Sequence, residues 1–106
     1  MKPVLFGYQV VAAATGPEAV RAGQTKLRRY AMRQGFTLGP VFIQRQTDRP
    51  GAALQALIRA ARRSPMAVVG VPTLADLGAS ARARWLTRFL LLREAGARVL
   101  VAEPRS

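Results

Sequence analysis

Val4-Leu5-Phe6-Gly7-Tyr8-Gln9-Val10-Val11 carries apolar side chains on both faces, with Gln9 the polar interruption. A half-exposed strand alternates apolar and polar residues. A run that is apolar on both sides belongs to a central strand covered from above and below. Working outward, Ala12 to Gly16 is a small-residue turn, and Pro17 suits the first turn of a helix, where its missing N–H costs nothing. Glu18 is favourable at that helix's positive end, and the helix is expected to run to Gln34 and stop at Gly35.

The rest of the chain repeats this rhythm. A second strand is expected over Leu38 to Gln44; Pro40 lies inside it, and a proline in a sheet belongs at an edge or a strand's start. Thr47-Asp48-Arg49-Pro50-Gly51 reads as a turn into a helix over Ala52 to Arg63, in which the plainer role for Arg49 is a turn residue paired with Asp48. Leu54, Leu57, Ile58 and Ala61 fall at i, i+3, i+4 and i+7 of that helix and form its buried stripe. Ser64-Pro65 breaks it, and Met66 to Val71 is a third buried strand closed by Pro72. A third helix is expected over Ala79 to Ala95, ended by Gly96. Ala97 to Val101 is the fourth strand, with Pro104 closing the domain. The alternation β-α-β-α-β-α-β implies an α/β fold: an open parallel sheet of four strands, three helices on its two faces and right-handed crossovers. With the proline-bearing strand at the edge the strand order is 2-1-3-4, and one domain spans residues 1–106.

Composition narrows the chemistry. The 106 residues hold 17 Lys+Arg against 5 Asp+Glu, a net charge of +12, and no His or Cys. The usual neutral-pH general base is therefore missing, as are disulfides, zinc-thiolate sites, iron–sulfur clusters and thiol catalysis. The carboxylates Glu18, Asp48, Asp76, Glu94 and Glu103 are scattered, no two of them at i,i+3 or i,i+4. No metal and no cofactor is expected. No apolar run reaches the ~18 residues of a membrane-spanning helix. Lys2, Val4 to Val11 and Ala12-Ala13-Ala14 loosely fit a secretory signal, but Gly7, Tyr8 and Gln9 interrupt its apolar part, so a cytoplasmic protein is expected.

In a sheet of order 2-1-3-4 a ligand would sit beyond the carboxyl ends of strands 1 and 3, where the order reverses. The loops there, Ala12 to Gly16 and Pro72 to Ala79, offer only Thr15, Thr73 and Asp76 as polar side chains. The first loop feeds a helix amino terminus, which can hold an anion, but no Gly-rich fingerprint accompanies it.

Several segments, in order, resemble the catalytic domain of the serine recombinases, the resolvase/invertase family. Leu5-Phe6-Gly7-Tyr8-Gln9-Val10-Val11-Ala12 is similar to that family's opening strand with its Tyr-x-Arg-Val-Ser. Gln24, Leu27, Tyr30, Ala31 and Gly35 fall where its first helix has a glutamine, core positions and a terminal glycine. Asp48-Arg49-Pro50-Gly51 with Leu54 and Leu57 resembles the Asp-Arg-x-Gly-Leu segment, and Val68-Val69 through Leu77-Gly78 resembles the strand and the Leu-Asp-Arg-Leu-Gly-Arg loop. The resemblance covers nearly the whole chain and implies a resolvase-like, flavodoxin-like three-layer sandwich.

It also implies a chemistry, a serine attacking DNA phosphorus within a cluster of arginines, whose residues do not carry over. Position by position, the nucleophile falls on Ala12 and the preceding arginine on Val10. The later Asp-Arg pair falls on Ala75 and Asp76, and the last arginine on Ala79. A methyl group cannot attack phosphorus, and Asp76 reverses the local charge. What remains of the family's site is Tyr8, Gln24 and Arg49. Moving the alignment gap would place Thr15 as nucleophile, nine residues before Gln24, at the loss of the Tyr8 match. The family's long dimer helix and helix-turn-helix module would lie beyond Glu103-Pro104-Arg105-Ser106, so a domain truncated before them is expected.

Two surfaces suggest binding. Lys26, Arg29 and Arg33 form a stripe on the first helix and Arg59, Arg62 and Arg63 cluster on the second, a candidate nucleic-acid surface; Arg82, Arg84, Arg88 and Arg93 lie on the third. The plainer reading is a solvated surface, since 15 of the 17 cations are arginine, as in GC-rich coding. On the third helix Leu92, Trp85, Phe89, Leu86 and Leu90 spread over about 160° at 100° per residue, with Leu91 outside the arc. A helix covering a sheet requires roughly 100°. Trp85, Leu86, Phe89 and Leu90 are thus a candidate interface, or else Trp85 and Phe89 are plain core. The expected protein is a non-catalytic resolvase-like module that binds a protein partner, itself or nucleic acid; the competing expectations are a small-ligand or phosphate-binding domain and an active recombinase.

Overall fold

The computed structural model describes residues 2–103. The elements run β1 (Val4–Val11), α1 (Pro17–Gln34), β2 (Thr37–Arg45), α2 (Ala52–Arg62), β3 (Val68–Thr73), a short 3₁₀ turn (Leu74–Leu77), α3 (Ala81–Ala95) and β4 (Arg98–Glu103). All strand pairs are parallel, in the order β2-β1-β3-β4. Fold class, strand order and helix count are those read from the sequence. The expected closing role of Pro104 lies outside the described residues.

Period-2 alternation of β1 builds the three layers. Leu5 packs with Ala31 of α1 on one face of the sheet. Phe6 and Tyr8 turn the other way, into a larger core with Leu57 and Ala61 of α2, Val69 and Val71 of β3, and Leu91 of α3. The helix α1 therefore covers one face alone, while α2 and α3 share the other. Both α1 and α3 end on a glycine, Gly35 and Gly96, in the left-handed region that a Cβ would disfavour.

Pro40 sits in the edge strand, as its chemistry requires. The β1–β2 register runs Leu5 opposite Leu38 and then Gly7 opposite Val41, so β2 holds an extra residue in a bulge at Gly39-Pro40. No ladder bond is sacrificed to the missing N–H.

Several boundaries differ from expectation. Pro72 does not close β3: Thr73 still pairs with Glu103, so β4 also runs on to Glu103. Pairing between β1 and β3 stops at Gly7–Gly70, so beyond that point β3 has one side with no ladder to satisfy. The helix α3 starts at Ala81 rather than Ala79, because the Ser80 hydroxyl accepts the Ala83 N–H at 3.1 Å and sets the cap there. The strand β3 begins at Val68 rather than Met66, because Met66 is 85% exposed and its φ of 56° lies in the left-handed region, outside extended backbone. Finally, β2 runs one residue further at each end, from Thr37 to Arg45, β4 begins at Arg98 rather than Ala97, and α2 ends at Arg62, one residue early.

Candidate functional site

The strand order reverses between β1 and β3, and the two strands part after Gly7 and Gly70. What fills the gap beyond them is the carboxylate of Asp76. Its Oδ1 accepts the Val10 N–H at 2.9 Å, and its Oδ2 accepts the Thr73 N–H at 3.0 Å and the Thr73 hydroxyl at 2.9 Å. Asp76 is only 8% exposed. Thr73 and Asp76 form a capping box for the 3₁₀ turn, and the same carboxylate reaches across to β1, 66 residues away in sequence. This buckle was missed in the sequence, where Pro72 to Ala79 reads as plain loop. Its signal was the Thr73-x-x-Asp76 spacing ahead of Leu77.

The Asp76 charge also acts on Tyr8. Burial, and then the nearby Asp76 carboxylate, push the Tyr8 phenol above its ordinary pKa of 10.0. Tyr8 is 6% exposed and belongs to the core between β1 and the α2/α3 layer.

The first loop is likewise engaged. The Ala13 N–H donates to Gln46 Oε1 at 3.3 Å, and the Thr15 N–H donates to Ala12 O at 3.1 Å. Gly16 caps α1 with no side-chain bond. Ala12 is exposed at the carboxyl end of β1 and Thr15 is half-buried. The nearest pocket, about 240 Å³, is lined by Val10, Gln44, Arg45 and the Gln46–Gly51 turn, so it lies over β1 and β2 rather than at the reversal of strand order.

Tyr8, Gln24 and Arg49 are not brought together. Tyr8 is core on the α2/α3 face, Gln24 is half-buried on α1 across the sheet, and Arg49 is exposed in the turn before α2. The expected Arg49–Asp48 pair is not formed. The Asp48 carboxylate turns back to accept the Arg45 N–H at 2.9 Å, which holds the turn, and Arg49 contributes its carbonyl to Gln44 Nε2 at 3.1 Å. Gln44 Oε1 in turn accepts the Ala53 N–H at 2.9 Å and fixes the start of α2.

The basic residues divide across the sheet. Lys26, Arg29 and Arg33 line a small pocket of about 120 Å³ beside Ala102 and Glu103, and Lys26 pairs with Glu103 at 3.3 Å. On the other face Arg62 pairs with Glu94 at 3.2 Å and donates through Nε to the Glu94 carbonyl at 2.7 Å, with Arg59 beside it and Arg63 exposed. The two clusters thus lie on opposite faces of the sheet.

The third helix packs through residues the apolar arc left out. Leu91 is fully buried, and Thr87 donates its hydroxyl to Leu77 O at 2.7 Å, anchoring α3 on the 3₁₀ turn. Trp85, Leu86, Phe89 and Leu92 face outward, at 61%, 49%, 37% and 59% exposure. Trp85 and Phe89 are therefore not core. Leu90, taken with them in the sequence, is half-buried. The rings of Trp85 and Phe89 stack on each other with centroids 5.1 Å apart.

Among the described residues no three metal-ligating side chains cluster, and no helix is long and apolar enough to cross a membrane. No family model matches the chain, and no curated protein sequence matches it. Solved structures do. The N-terminal catalytic domain of TP901-1 integrase superposes with a TM-score of 0.71 at 17% identity, covering 94% of this chain and 77% of that one. The C-terminal catalytic domain of ISC1926 TnpA, an IS607-like serine recombinase, superposes with a TM-score of 0.72 at 16% identity, covering 93% of this chain and 70% of that one. The four-stranded parallel sheet of order 2-1-3-4 with its three helices is thus the fold of serine recombinase catalytic domains.

Proposed function

We propose that this chain is a non-catalytic, resolvase-like domain that works by binding. The observation that carries the reading is Asp76, whose buried carboxylate occupies the gap between β1 and β3 with three hydrogen bonds. A site for phosphoryl transfer concentrates cations and N–H donors where the phosphate sits. Here an anion already accepts the Val10 N–H, and Gln46 accepts that of Ala13. In the resemblance drawn from the sequence, Asp76 stands in place of an arginine and Ala12 in place of the attacking serine. The same carboxylate counts against phosphate or nucleotide binding at the reversal of strand order, because it would repel the ligand.

Nucleic-acid contact is the weaker form of binding. Its two candidate clusters lie on opposite faces, with Lys26 in one and Arg62 in the other held by carboxylates. The outward apolar face of α3 is the stronger form.

The reading is tested by incubating the protein with supercoiled and linear DNA and resolving the products on denaturing gels. Neither relaxed DNA nor a protein–DNA adduct is expected. A covalent adduct, on Thr15 or any other hydroxyl, would overturn the proposal.

A further inference from the structure

We infer that the outer face of α3, together with the groove between α3 and β4, docks an acidic amphipathic helix of a partner protein. This inference rests on the binding reading above and names the partner's chemistry. Trp85, Leu86, Phe89 and Leu92 make an apolar strip along the exposed side of α3. Such a strip in contact with water marks a surface that another molecule covers. Leu92 continues it into a groove of about 330 Å³ whose apolar lining is Leu92, Ala97, Val99 and Leu100. The groove is the size of one or two large side chains inserted from outside.

Charge selects the occupant. At 100° per residue Arg82 and Arg93 fall within the strip and Arg88 at its border. Arg88 and Arg98 also line the groove. The Arg93 guanidinium lies 5.8 Å from the centre of the Phe89 ring, so cation and apolar surface are interleaved. The one carboxylate on α3, Glu94, is turned to Arg62. A partner helix with an apolar stripe bordered by Asp or Glu would satisfy both components.

A second copy fits badly. Two α3 faces brought together would oppose arginine to arginine in a chain of net charge +12. Nucleic acid would meet the cations but leave Leu86, Leu92 and the aliphatic groove unused. Trp85 and Phe89 already stack on each other, which removes the face between them as a platform for bases.

Trp85 is the only tryptophan in the chain and stands on this surface, so its emission reports directly on coverage. The test titrates the protein with a panel of synthetic acidic amphipathic helical peptides that differ in apolar spacing. Counterparts carry Lys for every Glu, and anionic vesicles and a single-stranded oligonucleotide are further arms. The expected result is a saturable blue shift with acidic peptides, weakened by salt and missing with the Lys counterparts. Arg82→Glu combined with Arg88→Glu and Arg93→Glu should weaken acidic peptides by at least about tenfold. The same variant should gain binding of the Lys counterparts, a gain that misfolding cannot produce. No shift with any acidic peptide would overturn the inference, as would equal shifts with both charge types. A shift driven by protein concentration alone would assign the face to a second copy and overturn it too. So would a shift caused only by vesicles or by the oligonucleotide. The DNA-adduct assay stands apart: a domain that binds acidic peptides yet forms adducts keeps this surface and loses the non-catalytic reading. A domain that does neither loses this surface alone.

Discussion

Replacing Asp76 with alanine removes the acceptor of three hydrogen bonds, from Val10 N–H, Thr73 N–H and the Thr73 hydroxyl. Bonds to a charged group contribute about 1.5–3 kcal/mol each. The donor residues Val10 and Thr73 are partly exposed, so water would recover some of each loss, and a total of about 3–4 kcal/mol is expected. That is a large share of the roughly 5–15 kcal/mol by which a domain is usually stable. The effect should be graded. Asp76→Asn keeps one acceptor oxygen and should cost about half as much, and Thr73→Val removes the hydroxyl bond alone, for about 1 kcal/mol. Urea unfolding followed by far-UV circular dichroism measures all three, provided the slope stays constant and the midpoint moves. An Asp76→Ala protein within about 0.5 kcal/mol of the parent would refute the reasoning, because surface positions behave that way and buckles do not. An asparagine variant as unstable as the alanine one would equally deny that the separate bonds matter.

Two further outcomes are expected. The Tyr8 pKa is raised in the folded state, so this group contributes stability that is complete below pH 10.0 and is lost as pH climbs from there through the folded value. Alkaline unfolding should therefore flatten in Tyr8→Phe, and Asp76→Asn should lower the Tyr8 titration seen as near-UV tyrosinate absorbance; unchanged curves in both would contradict the assigned causes. A Cβ at Gly23 would lie 2.3 Å from Gln9 Nε2, so Gly23→Ala should destabilise despite its better helix propensity. On a Gln9→Ala background the same change should stabilise by about 1 kcal/mol, and a thermal melt showing the same sign in both backgrounds would reject the packing argument.

The sequence carried the fold further than the site. The first strand, apolar on both faces, is a centre strand, and Pro40 marks an edge, which together give the order 2-1-3-4. Both cues concern backbone and burial, which local residue types report well. Pro72 misled because its effect depends on where a neighbouring strand departs, a fact recorded at Gly7 and Gly70 rather than beside the proline. On α3 the arc of large apolar residues points away from the core. The packed side uses Leu91, Thr87 and small residues, since α3 sits against a turn that offers a carbonyl from Leu77. Asp76 was legible as a charge and not as a buckle, because its partner at Val10 is distant in the chain. Gln9 was legible as an oddity within an apolar strand. The structure shows its amide against Gly23, donating to Val20 O at 3.4 Å with its own carbonyl oxygen unpartnered.

The displaced register at Gly39-Pro40 has a consequence for how copies of the protein meet in a crowded solution. An open sheet exposes a row of peptide groups along each border and invites another chain to extend it into a fibril. On the β2 border that row is interrupted by an imide nitrogen and a kink, so an incoming strand loses its template partway along. On the β4 border the row is six residues long, with Arg98 and Glu103 at its ends. The molecule can therefore present a greasy helix to partners while its borders discourage stacking into insoluble polymer.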